Sequence, residues 1–132
     1  MHTFLELLLT LEPILIDLST FRDLATADIG AFSPKPTSIE GDQVEAVRSF
    51  FQSPDGTVDI GIWECTPGRF TADRSGSSEI CHIISGRVEV SRADGEMREL
   101  GPGDLLVLPK GWKGEWLIHE TTRKLYMIHS AG

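Results

Sequence analysis

Thiols and imidazoles are scarce in this chain. Its 132 residues hold 2 cysteines and 4 histidines, and neither set has the clustered spacing of a metal-binding motif. Cys65 and Cys81 make no disulfide framework, which points to a reducing, cytoplasmic setting. Positive charge is also short: 12 Lys+Arg face 20 Asp+Glu, for a net charge of -8. The basic residues are scattered and form no stripe, so nucleic acid and anionic membrane are excluded as partners. A long hydrophobic run is missing as well. The richest stretch, Phe4 to Leu18, carries Glu6 and Glu12 and is interrupted by Pro13, too short and too acidic to span a bilayer. It also lacks the basic start of a secretory signal. The expectation is a soluble, single-domain protein, long enough to bury a core without disulfide or metal staples.

What the chain does have is strand. Glu79 to Gly111 holds two short apolar runs, one closing on Gly86 and the other on Pro109-Lys110-Gly111. Between them Arg87 to Leu100 reads as a hairpin reversing at Ala93-Asp94-Gly95, with Val88 and Val90 alternating against Arg87, Glu89 and Ser91. Upstream, Val44 to Gln52 runs into Ser53-Pro54-Asp55-Gly56, which suits a type I turn with a left-handed exit. Thr57 to Thr66 follows, ending at Pro67-Gly68. The last strands are expected at Glu115 to His119 and Arg123 to His129, joined by Glu120-Thr121-Thr122. Short strands separated by Gly and Pro turns predict a small β-barrel or two-sheet sandwich.

The first third is different. Residues 1–12 suit a short helix, residues 14–18 a strand, and residues 19–43 a loop, giving an arm (1–39) ahead of a barrel (40–132). On the Glu79 strand both faces carry apolar residues: Cys81 and Ile83 share a side with Glu79, while Ile80, His82 and Ile84 take the other. Leu105 to Leu108 is apolar throughout. Such strands are covered on both sides. The interior covers one; the arm or a second subunit covers the other, and a homodimer is the expected assembly.

At this point the residues resemble the cupins. The first cupin motif ends in Glu, six residues, Gly, as Glu79 and Gly86 do here. The second has the frame Gly, five residues, Pro-x-Gly, matched by Gly103 and Pro109-Lys110-Gly111. Gly61 to Phe70, Glu79 to His82 and Arg123 to Tyr126 look like small single-domain cupins related to the cupin domain of (S)-ureidoglycine aminohydrolase. The resemblance implies an all-β, RmlC-like jelly-roll barrel of two antiparallel sheets with an N-terminal arm. It also exposes a departure. Counting from Glu79, the two motif histidines fall at Asp73 and Ser75 or at Ala72 and Arg74; the third falls at Gly114, and the asparagine at Ile118. Of the usual three-His, one-Glu set only Glu79 remains, and a transition metal wants three or four converging ligands.

The resemblance points Glu79 into the barrel mouth, where a carboxylate can grip a substrate amine, act as general base or hold a weak metal. The plain alternative is a structural ion pair, since a buried carboxylate must be partnered. Lys124 and Tyr126 share a strand face, so if Tyr126 points inward Lys124 does too, with Glu79 as its natural counter-charge. Trp116 follows the vacated position at Gly114 and suits a pocket wall; Trp63 suits a wall or plain core. Arg69 and Arg74 lie where the missing histidines would edge the pocket; either is a candidate anion selector, with a solvated loop the preferred reading for Arg74. Cys81, sharing a side with Glu79, is a substrate contact or an inert buried thiol.

The resulting expectation is a small-molecule-binding cupin with no firmly held cofactor. Glu79, Lys124 and Tyr126 form its candidate catalytic set, and Trp116, Arg69, Cys81 and Trp63 its substrate contacts. Proton transfer or hydrolysis of a nitrogen compound is the chemistry these residues suit. Two alternatives stand beside it. One is a metal-dependent aminohydrolase-like enzyme with a weakly bound divalent metal on Glu79 and Asp73. The other is a non-catalytic accessory or sensory domain. The fold by itself assigns no reaction, because one scaffold hosts many activities.

Overall fold

The computed structural model describes residues 16–130. The helix expected over residues 1–12 and the first part of the strand expected over 14–18 lie outside the described residues. Residues 16–18 are irregular rather than strand, with Ile16 and Leu18 exposed. Nine strands follow: β1 Ser33–Pro34, β2 Ser38–Glu40, β3 Val44–Gln52, β4 Val58–Cys65, β5 Gly68–Asp73, β6 Ser78–Ser91, β7 Met97–Leu100, β8 Leu105–Leu108 and β9 Lys113–His129. All pairings are antiparallel. No helix occurs among the described residues, so none is long and apolar enough to cross a membrane.

β9 is the spine. β6 lies along one edge for almost its full length, while the other edge pairs first with β5 (Lys113 to Ile118) and then with β4 (Thr122 to His129). β6 and β9 therefore belong to two layers. One runs β1-β3-β4-β9-β6-β8, the other β2-β5-β9-β6-β7. This is an all-β jelly-roll barrel of two curled antiparallel sheets.

Three local expectations change. β6 does not end at Gly86 but bends there, with register shifts between Ile83 and Val88. Gly86 has φ +98°, and a Cβ on it would run into the Thr122 hydroxyl and the Thr121 carbonyl, so the corner that closes the motif takes only glycine. Glu120 to Thr122 is likewise no connector but the middle of one continuous β9, held by Ser85↔Arg123 and Arg87↔Glu120. Bending at bulges keeps both strands paired across the corner, where a break would strand backbone groups. Residues 19–43 are not all loop: β1 pairs with the edge of β3, and β2 with β5.

Inside the barrel, Phe70 stacks on Trp116 at 5.8 Å between centroids, and Trp63 meets Trp116 edge-on at 5.9 Å. Val88, Val90 and Ile118 complete a dry end, each such side chain contributing roughly 1.5–3 kcal/mol by leaving water. The outer face of the first layer is partly covered by the chain itself. Ile29 packs on Ala46 and Ile62, with Leu24 alongside, and Phe21 lies 5.4 Å from Phe50. Arg123 holds this segment down, one guanidinium nitrogen donating to the carbonyls of Leu24 and Ala27 (both 2.9 Å) while its Nε donates to Glu64 (2.9 Å).

Candidate functional site

Alternation along three neighbouring strands builds the site. β9 lies between β4 and β6, and three rows of its register point inward: Asp59–Ile128–Glu79, Gly61–Tyr126–Cys81 and Trp63–Lys124–Ile83. These rows and the facing part of β5 enclose a cavity of about 270 Å³ that opens at the barrel mouth. At ~30 Å³ per liquid water molecule that is room for roughly nine waters or a small metabolite.

Glu79 lies at the bottom, 2 % exposed. Both of its oxygens are engaged: Oε2 by Lys124 Nζ at 2.7 Å and Oε1 by Arg74 at 3.1 Å. Lys124 Nζ also sits over the indole faces of Trp63 (4.4 Å) and Trp116 (4.3 Å), contacts worth about 0.5–2 kcal/mol each where water is excluded. An ammonium carries three donors, and among the described residues its one anionic partner is Glu79. Arg74 follows the end of β5. Its backbone is bound from the second motif's corner, its N–H donating to the Trp112 carbonyl (2.8 Å) and its carbonyl accepting from the Gly111 N–H (2.6 Å). Its Nε is buried with no acceptor among the described residues.

Across the row, Asp59 is the negative pole. Its carboxylate accepts from the Ser49 hydroxyl and, at 3.4 Å, from the Tyr126 hydroxyl, and no cation among the described residues pairs with it. Burial first, and then the Asp59 charge, push the Tyr126 phenol up to about 12, so it stays protonated and serves as a donor. The Tyr126 ring fits because residue 61 is glycine; a Cβ there would strike the Tyr126 hydroxyl and the Arg48 carbonyl. At the rim, Lys35 lies 4.2 Å over Phe70 and pairs with Glu45 at 2.8 Å; Glu45 also accepts from Trp63 Nε1 at 2.8 Å.

Glu79, Lys124, Tyr126, Trp63 and Trp116 thus come together around one cavity. Three other candidates do not. Arg69 alternates to the outer side of β5, against Glu115 (3.1 Å) and Glu40 (3.7 Å). Cys81 packs in the core behind the wall, and burial raises its thiol to about 11, as it does Cys65; neither is a ready thiolate. Asp73 faces solvent, its carboxylate drawn down by hydrogen bonds from Ser75. Sequence reasoning missed Asp59, Lys35 and Glu45, and its preference for a solvated loop at Arg74 is corrected by the Arg74–Glu79 pair. Asp59 had a signal, since it shares strand parity with Trp63.

The donor set does not fit the metal that the cupin motifs usually hold. Glu79 is engaged by two cations rather than left free for an ion. The vacated histidine position at Gly114 has no room for a side chain, because a Cβ would meet the Ser91 carbonyl and the Trp112 ring. Ile118 is buried core. Among the described residues no group of three His, Cys, Asp or Glu converges.

A barrel with these two motif frames is a cupin. More closely, residues 52–126 match the EutQ-like cupin domain, and the chain belongs to that family. A search of curated proteins found no match. Solved structures share the fold. The Clostridium difficile EutQ protein aligns with a TM-score of 0.59 at 22% identity, over 67% of this chain and 64% of that one. An ethanolamine utilization protein Q from Salmonella typhimurium LT2 gives 0.59 at 21%, over 78% and 100%. A Pseudomonas syringae protein of unknown function gives 0.65 at 23%, over 76% and 45%. The chain therefore spans less than two thirds of the Clostridium protein and less than half of the Pseudomonas one.

Proposed function

We propose that this chain is a small-molecule-binding cupin that works without a tightly held transition metal, with the Lys124 ammonium as its electrophilic group. One observation carries the reading. Two cations share the single buried charge of Glu79 beside an open cavity, leaving local positive charge and unused donors. A carboxylate or polarised carbonyl is the ligand group that such a site attracts. In a reaction, Lys124 steadies the developing oxyanion and Tyr126 donates from a hydroxyl that stays protonated, while Glu79 keeps Lys124 in place. The likeness of Gly61 to Phe70 and Arg123 to Tyr126 to the ureidoglycine aminohydrolase cupin domain supports a nitrogen compound as substrate. The scarcity of cysteine supports a cytoplasmic setting. The exposed Ile80, Leu105 and Val107 on the outer face support a second copy of the chain as partner; a monomer mass by light scattering would contradict that part.

The test is a thermal-shift screen of small carboxylates, amides and amino acids, paired with elemental analysis of protein purified without chelator. The reading expects a ligand-dependent rise in Tm and sub-stoichiometric metal. Near-stoichiometric Mn, Fe, Ni or Zn would favour the metal-dependent alternative. A screen that shifts nothing would favour an accessory or sensory domain.

A further inference from the structure

The cavity is polarised. Of its six charged side chains, Lys35 and Glu45 cancel each other at the rim, with 2.8 Å between them. Arg74 and Lys124 share Glu79, which leaves one net positive charge at that end. Asp59 leaves one negative charge at the other, held in place by Ser49 and Tyr126 and by no cation among the described residues. The two ends are set by the sheet. Asp59 and Glu79 flank Ile128 on opposite edges of β9, two strand spacings apart, or roughly 9–10 Å between backbones.

We propose that the ligand of this cavity is a small zwitterion, its carboxylate against Lys124 and Arg74 and its ammonium on Asp59. The inference rests on the reading above and names its ligand class. Both poles contribute selection. A dicarboxylate would bring its second charge against Asp59, and a diamine would bring one against Lys124 and Arg74; like charges facing one another in a half-buried site are rejected. A plain monocarboxylate leaves Asp59 without an ion partner. Tyr126, between the poles in the register, forms the floor under the ligand's carbon chain, with Ile128 and the Trp63 ring beside it. The buried Arg74 Nε has no acceptor among the described residues, and such an unmet donor gains from an anionic oxygen drawn to its guanidinium.

Calorimetric titration of 3-aminopropanoate, propanoate and n-propylamine into the intact protein tests this without any variant. The expected order is 3-aminopropanoate tightest, propanoate at least roughly tenfold weaker, and propylamine weakest, a charge-assisted hydrogen bond being lost in each monofunctional probe. Asp59→Asn should remove the advantage of the amino group, so that 3-aminopropanoate and propanoate bind alike. Glycine and 4-aminobutanoate then read the preferred separation of the two charges. Equal affinity for 3-aminopropanoate and propanoate, or an unchanged advantage in Asp59→Asn, overturns the zwitterion and leaves the anion site standing. No binding by any of the four acids overturns both.

Discussion

Arg123 and Lys124 are neighbours in sequence and point to opposite faces of β9. Both are buried cations paired to a glutamate, Arg123 with Glu64 at 2.9 Å and Lys124 with Glu79 at 2.7 Å. The difference lies in what else each touches. Arg123 turns one guanidinium nitrogen on the carbonyls of Leu24 and Ala27, tying down the segment over the outer face. Lys124 sits in the angle between two indole faces, with an open cavity in front and donors to spare. A buried charge whose donors tie it to another segment's backbone is a clamp. A buried charge with vacant donors beside a cavity is a binding group, because the desolvation it has already undergone strengthens any ligand contact.

Substitutions that separate the two pairs sharpen this contrast. The largest effect is expected from Glu79→Gln, which leaves Lys124 and Arg74 facing each other without a counter-charge. Urea unfolding should show a loss of about 3–5 kcal/mol, and an unchanged midpoint would mean that the pair is not buried in solution. Arg123→Met should cost about 2–3 kcal/mol by unpairing Glu64 and two carbonyls. Hydrogen exchange should rise over residues 21–29 while ligand affinity holds. Lys124→Met leaves Glu79 with Arg74, so a smaller loss of about 2 kcal/mol is expected, with ligand binding abolished.

A pH effect follows from the one tyrosine in the chain. Its folded value lies near 12 against an ordinary 10.0. A raised value means that the folded state holds its proton longer, so the stabilisation is complete below pH 10 and is lost as pH rises through 12. Phenolate absorbance reports Tyr126 alone. Its midpoint should fall in Asp59→Asn, and Tyr126→Phe should flatten the alkaline loss of stability apart from the share that Cys65 and Cys81 contribute between pH 9 and 11. An ordinary midpoint near 10 in the native protein would place the phenol in water.

Much of the barrel was legible because alternation and turn chemistry are local. The Ser53 to Gly56 reversal is closed by Gly56 N–H donating to the Ser53 carbonyl at 2.9 Å, and inward parity put Lys124 and Tyr126 on one face with Glu79 opposite. What was not legible depends on distant chain. Arg74 lies just past the end of β5, where alternation stops predicting direction, and a corner near Gly111 aims it inward. Lys35 lies between two prolines and reaches the rim only because β1 and β2 pair with strands far along the sequence. The bends of β6 and β9 look like strand ends in sequence, since glycine and polar residues mark both. Only their mutual pairing keeps them continuous.

The most direct test compares propanoate titrated into Lys124→Met and into Arg123→Met under conditions where both remain folded. The account predicts that heat of binding disappears in the first and that affinity in the second stays within about twofold of the parent, a difference below ~0.5 kcal/mol. Undiminished binding in Lys124→Met would contradict it.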